Sequence, residues 1–198
     1  MTAIASVYLD KTVLEKHLEP SIPEYLQERH FIEGTRPSNI ASLYNRVLDI
    51  TKSEFVIFAH PDVEFSPEAC DMMVSALTMG VGVAGLVGVT APGKYVFSSK
   101  ITEQQEVASL DSCVLAVDTR FGLRFDDKTF DELHLYGEDY CFSARRAGLK
   151  VVVVPVNHFL HASTTLLKKG DSWGQYSAYK QRLLDKWQPR FGNKIWIT

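Results

Sequence analysis

Four consecutive valines at residues 151–154 constrain this chain more than any other feature. A β-branched run with no polar face fits a strand covered on both sides. The run EFVIFA at residues 54–59 is a second strand of the same kind. Strands buried on both faces need helices above and below, and the intervening segments have the spacing to supply them. Ile40, Leu43, Tyr44, Val47 and Leu48 follow Pro37-Ser38 at helical intervals. Cys70, Met73, Val74 and Leu77 do the same after Ser66-Pro67. Residues 138–147 read as a helix closed by Gly148. Trp173, Tyr176, Leu183, Leu184 and Trp187 mark a last amphipathic helix.

Residues 3–8 predict a first strand, followed by a short helix in which Thr12 and Glu15 form a capping box. Further strands are expected near residues 30–33, over 81–90 and over 107–117. The fold class predicted is α/β, a single Rossmann-like domain with a mostly parallel central sheet flanked by helices. With 198 residues, one domain suffices for one core. A net charge of −3 gives no reason to expect a nucleic-acid surface. No run approaches the roughly 20 apolar residues of a membrane span, and the first residues lack the features of a signal peptide. Cys70, Cys113 and Cys141 lie far apart with no CxxC spacing, which points to a reducing, cytoplasmic setting rather than a disulfide framework.

In such sheets ligands gather at the carboxyl ends of the strands, and three polar clusters stand there. EFVIFA runs into His60-Pro61-Asp62-Val63-Glu64. Carboxylates delivered by an apolar strand need a partner, and a divalent cation is one. Asp62 is the first ligand candidate, ahead of His60 and Glu64; alternatively Asp62 caps turn amides. The valine strand leads to His158 and His161, where an imidazole can serve a metal or a loop hydrogen bond. Glu138 and Asp139 open a helix, as a structural cap or as a base for a hydroxyl nucleophile. Asp111 in the 107–117 strand reads by itself as a bulge or strand-edge residue.

The order of these clusters resembles the GT-A glycosyltransferases, specifically the family-2-like group, over nearly the whole chain. FAHPDVEF is similar to the family's Asp-x-Asp motif, with His60 in place of the first aspartate and Asp62 retained, a His-x-Asp variant. DSCVLAVDTRFGLRFDDKTF and YGEDYCFSARRAGLKVVVVP resemble the segments that follow it. The resemblance implies a divalent cation, Mn²⁺ or Mg²⁺, held by Asp62 and His161. It implies transfer of a sugar from a UDP- or GDP-sugar to a hydroxyl of a glycan or lipid-linked acceptor, with inversion. Asp139 is the first choice of base and Glu138 the second. Tyr8, Asp10, Glu33, Asn45, His60 and Asp62 are the expected nucleotide and cofactor contacts, and Asp111 and Trp173 the acceptor contacts. Residues 1–65 form the nucleotide-binding half and 66–198 the acceptor and catalytic half. The segment 163–172, carrying Lys168 and Lys169, is expected to close over the diphosphate.

Two alternatives belong beside this reading. A non-catalytic nucleotide-sugar or carbohydrate-binding module on the same fold would explain His60 in place of a carboxylate. A nucleotidyltransferase fits less well, since YLDKTVLEKH after the first strand has no glycine to cradle phosphates.

Overall fold

The computed structural model describes residues 1–35, 39–162 and 173–198. The first strand β1 (Thr2–Tyr8) leads to the short helices α1 (Lys11–Lys16) and α2 (Leu18–Ser21) and to β2 (Glu28–Glu33). Helix α3 (Ile40–Ile50), β3 (Phe55–Ala59), β4 (Val63–Phe65) and α4 (Pro67–Thr78) follow. The strands β5 (Val81–Gly85), β6 (Val87–Val89), β7 (Tyr95–Phe97), β8 (Gln105–Glu106), β9 (Ser109–Leu110) and β10 (Val114–Asp118) come next. Helix α5 (Tyr136–Arg146), β11 (Lys150–Val153), β12 (Phe159–His161) and α6 (Trp173–Phe191) complete the order.

Seven strands form one sheet in the order β2-β1-β3-β10-β5-β11-β8. Only β10 and β8 run against the other five, so the sheet is mostly parallel as expected. Side chains alternate between two cores because successive strand residues point to opposite faces. Val56, Phe58, Leu115, Val117, Val151 and Val153 pack toward α3, α5 and α6. Ile57, Ala59, Val114, Ala116, Val152 and Val154 pack toward α1, α2 and α4. Each large side chain so buried contributes roughly 1.5–3 kcal/mol, which is why two apolar runs suffice to set a three-layer plan.

Several elements differ from the sequence reading. The cap of α1 is Asp10, whose carboxylate accepts from the Thr12 backbone N–H at 3.0 Å, and not a Thr12–Glu15 box. Residues 81–90 are two strands in two sheets, because the chain leaves the large sheet after Gly85 and continues as β6 between β7 and β9. Residues 107–117 also divide: β9 joins the small sheet, β10 the large one, and residues 111–113 form the connection between them. Asp111 therefore lies outside a strand, with its Oδ1 accepting from the Cys113 N–H at 2.9 Å. Among the described residues no helix is long and apolar enough to cross a membrane.

Candidate active site

The site forms where the sheet changes polarity. β3 ends at Ala59 opposite Val114, the first residue of antiparallel β10, so the exit from β3 and the entrance to β10 meet at one edge. The His60 N–H donates to the Cys113 carbonyl at 2.8 Å, which sets the 111–113 connection beside His60. A second ladder brings in the histidine that follows the valine run. β12 pairs antiparallel with β4, matching His161 to Val63, and the Ala162 N–H donates to the Asp62 carbonyl at 2.9 Å. Asp62 and His161 become neighbours although 99 positions separate them in the chain.

His60, Asp62 and His161 each direct a ligand atom to within 4.8 Å of the others'. His161 Nε2 lies 3.4 Å from Asp62 Oδ1. His60 Nε2 is hydrogen-bonded to the Tyr136 hydroxyl at 2.9 Å, which orients the ring. Behind it Tyr44, Phe58, Phe125, Tyr136 and Tyr140 form an aromatic wall. Desolvation and then the charge of His161 hold His60 below the usual histidine range, in the neutral form that a metal needs. Against desolvation, the contact with Asp62 and the charges of Asp62 and Asp111 raise His161. Two imidazoles and a carboxylate suit a divalent cation. Cys113 belongs to a second grouping with Asp111 and His161, but burial and Asp111 push its thiol well above the ordinary value, so it stays protonated.

The two acids that open α5 face different surroundings. Leu135, with φ of 60°, turns the chain into the helix from a left-handed conformation that costs about 1–2 kcal/mol in a non-glycine residue. Gly137 sits directly on the 111–113 connection: a Cβ there would lie 2.6 Å from Ser112 Cβ. This close approach puts Glu138 within electrostatic reach of Asp111. Glu138 is buried, its Oε1 accepts from the Thr198 hydroxyl at 2.7 Å, and its Oε2 has no hydrogen-bond partner among the described residues. Burial, then Asp111, push its carboxyl up to about 8. Asp139 turns the other way. Its Oδ1 accepts from Trp187 Nε1 at 2.7 Å and from Lys186 Nζ at 2.8 Å, tying α5 to α6.

The other expected contacts are spread along the sheet edge or outside it. Tyr8 and Glu33 stand in register at the ends of β1 and β2, and Asp10 caps α1. Asn45 clamps the backbone of Phe125, donating to its carbonyl and accepting from its N–H, both at 3.0 Å. Glu64 is bonded to His17 Nδ1 at 2.6 Å. Trp173 begins α6, but its side chain and the segment with Lys168 and Lys169 lie outside the described residues. Sequence reasoning missed Tyr136, Gly137 and Thr198. The glycine beside the two acids was the visible signal for the second of these.

This geometry belongs to a known class of fold. The architecture is that of the GT-A glycosyltransferases. The chain superposes on the crystal structure of GalNAc-T7 with UDP, GalNAc and Mn2+ with a TM-score of 0.68 at 9% identity, over 96% of this chain and 49% of that one. It therefore spans about half the length of that protein. S. aureus TarS (residues 1–349) gives 0.56 at 10% identity, over 96% of this chain and 73% of that one. A197 from STIV gives 0.53 at 13%, over 78% and 81%. No protein-family model matches the sequence, and no curated protein matches it.

Proposed function

We propose that this protein transfers a sugar from a nucleotide-diphosphate donor to an acceptor hydroxyl with inversion, as a family-2-like GT-A enzyme with a His-x-Asp motif. One observation carries the reading: His60, Asp62 and His161 converge within 4.8 Å at the strand ends of a GT-A fold. GalNAc-T7, with the same fold, was crystallised with UDP, GalNAc and Mn2+.

In this reading residues 1–65 hold the nucleotide, with Tyr8, Asp10 and Glu33 at the ends of β1 and β2, and residues 66–198 carry the acceptor and the chemistry. His60, Asp62 and His161 would hold Mn²⁺ or Mg²⁺. Bound there, the cation supplies charge neutralisation for a leaving diphosphate. Glu138 takes precedence over Asp139 as the base, since Oδ1 of Asp139 is held by the Lys186 ammonium and by Trp187, whereas Glu138 forms no ion pair among the described residues and already accepts from a hydroxyl. In its ionised form, which prevails above about pH 8, Glu138 takes the proton of the acceptor hydroxyl as that oxygen attacks the anomeric carbon, and the bond to the diphosphate breaks on the opposite face. Asp111 stands beside both Glu138 and His161 and would orient the acceptor. A cytoplasmic setting accords with three free, buried thiols.

Thermal melting with UDP or GDP, each with and without Mn²⁺, tests this. A nucleotide at about 100 times its dissociation constant adds roughly 2.7 kcal/mol, or about 5–10 °C for a domain of this size. The shift should need both nucleotide and metal and disappear in Asp62→Ala. A shift that survives Asp62→Ala, or no shift with either nucleotide, would overturn the reading.

A further inference from the structure

The segment after α6 returns to the site and lies across the side of it that faces α5. Thr198 places its hydroxyl 2.7 Å from Glu138 Oε1, while Oε2 of the same carboxyl is buried and has no hydrogen-bond partner among the described residues. Tyr176 on α6 donates to the Thr198 carbonyl at 3.0 Å, and Ser109 at the start of β9 donates to the Trp196 carbonyl at 2.7 Å. Among the described residues, none of the backbone hydrogen bonds that hold the loops and turns involves residues 195–198. They belong to no strand, and all four are half-buried. Among the described residues the strap is held by three side-chain bonds, by the packing of Ile195 and Ile197, and by the Trp196 ring lying over Gly93. Such a segment detaches at far lower cost than a strand in a ladder.

We infer that the surface under residues 195–198 is the acceptor subsite, and that the Thr198 hydroxyl holds the place of the acceptor hydroxyl. This rests on the glycosyltransferase reading and names where its acceptor sits. A hydroxyl donating to a buried carboxylate is the arrangement that a sugar hydroxyl must reach before it loses its proton. The strap also reaches the turn before β7, an edge strand of the small sheet, since a Cβ on Gly93 would lie 3.0 Å from the Trp196 ring. There Tyr95 and Phe97, 51% and 38% exposed, hold their rings nearly parallel, at 16° and 6.0 Å. Exposed aromatic pairs are uncommon on a surface without a ligand, and their rings suit the C–H face of a pyranose. The acceptor is thus a saccharide that displaces the strap. Its hydroxyl replaces that of Thr198, and its ring lies toward Tyr95.

The test uses the wild type, Thr198→Val, Thr198→Ser and Trp196→Ala, with UDP-glucose, UDP-GlcNAc and UDP-GalNAc in the presence of Mn²⁺ and no acceptor. Water then takes the acceptor's place. Its oxygen bonds to the anomeric carbon, one proton passes to Glu138, and the electron pair of the broken C–O bond leaves with UDP, giving free sugar. Released UDP is measured, with the UDP-induced melting shift recorded for each protein. Thr198→Val and Trp196→Ala should release UDP about two- to tenfold faster, as expected for the loss of one restraining hydrogen bond or ring contact. Thr198→Ser should match the wild type, and all four should show the same melting shift. Unchanged or slower release with the shift intact would make the strap a structural element and overturn the inference alone. No UDP-induced melting shift in any protein would overturn the UDP-sugar form of the glycosyltransferase reading, and the inference as stated for UDP-sugar donors with it.

Discussion

Replacing Glu138 by glutamine should remove a pH-dependent instability that is built into the site. The Glu138 carboxyl is 4% exposed, and burial first, then the charge of Asp111, raise it from 4.5 to about 8. The sign follows from proton counting. Between these values the folded protein keeps a proton that the unfolded chain has released, so stability is fully present below about pH 4.5 and is lost as pH rises through 8. At about 1.4 kcal/mol per unit, the difference between 4.5 and 8 amounts to up to about 5 kcal/mol. Glutamine has nearly the shape of the protonated acid and no titration. Urea unfolding at pH 5, 6, 7, 8 and 9, with EDTA and constant ionic strength, should give the two proteins stabilities within about 1 kcal/mol of each other at pH 5. The variant should then gain on the wild type through pH 8, with m-values unchanged. Parallel curves from pH 5 to pH 9 would refute the reasoning, because Asp139 and every other acid are common to both proteins.

Three further outcomes are expected. Gly137→Ala must push α5 off Ser112, where the added carbon would stand 2.6 Å away, and should cost about 1–3 kcal/mol in urea unfolding; a neutral result would mean the helix start is free to shift. Lys186→Met strips the buried Asp139 of its cation and should cost about 3–5 kcal/mol, of which Asp139→Asn in the same protein should restore a part. A loss below 1 kcal/mol would show that Trp187 alone satisfies Asp139. Against desolvation, Asp62 raises His161 above its ordinary value, and a metal must compete with the proton there. The melting shift given by Mn²⁺ alone should therefore grow from pH 6 to pH 8, and a pH-independent shift would remove His161 from the ligand set.

The sequence by itself determined the layered plan and the edge at which the chemistry gathers. Periodicity is a local property: the apolar runs at residues 54–59 and 151–154 had to be strands covered on both faces, whatever covered them. It also placed His60, Asp62, His161 and the Glu138-Asp139 pair just beyond strands or at a helix start. Which of these act together was decided only by packing. Glu138 and Asp139 are adjacent in sequence and about 100° apart around the helix, so the arrival of α6, with Lys186 and Trp187, engaged Asp139 and left the equally buried Glu138 facing Asp111. The resemblance made Asn45 an expected nucleotide contact, and only the structure shows Phe125, 80 residues away, bonded to both ends of its amide. The β4–β12 ladder that sets His161 against Asp62 joins two three-residue strands too short to carry a period. The return of residues 195–198 left no local sign either, since a strap held by side chains needs no pattern of its own. Contacts of this kind come from the closure of distant segments, and their free energy exists only once the whole core has formed.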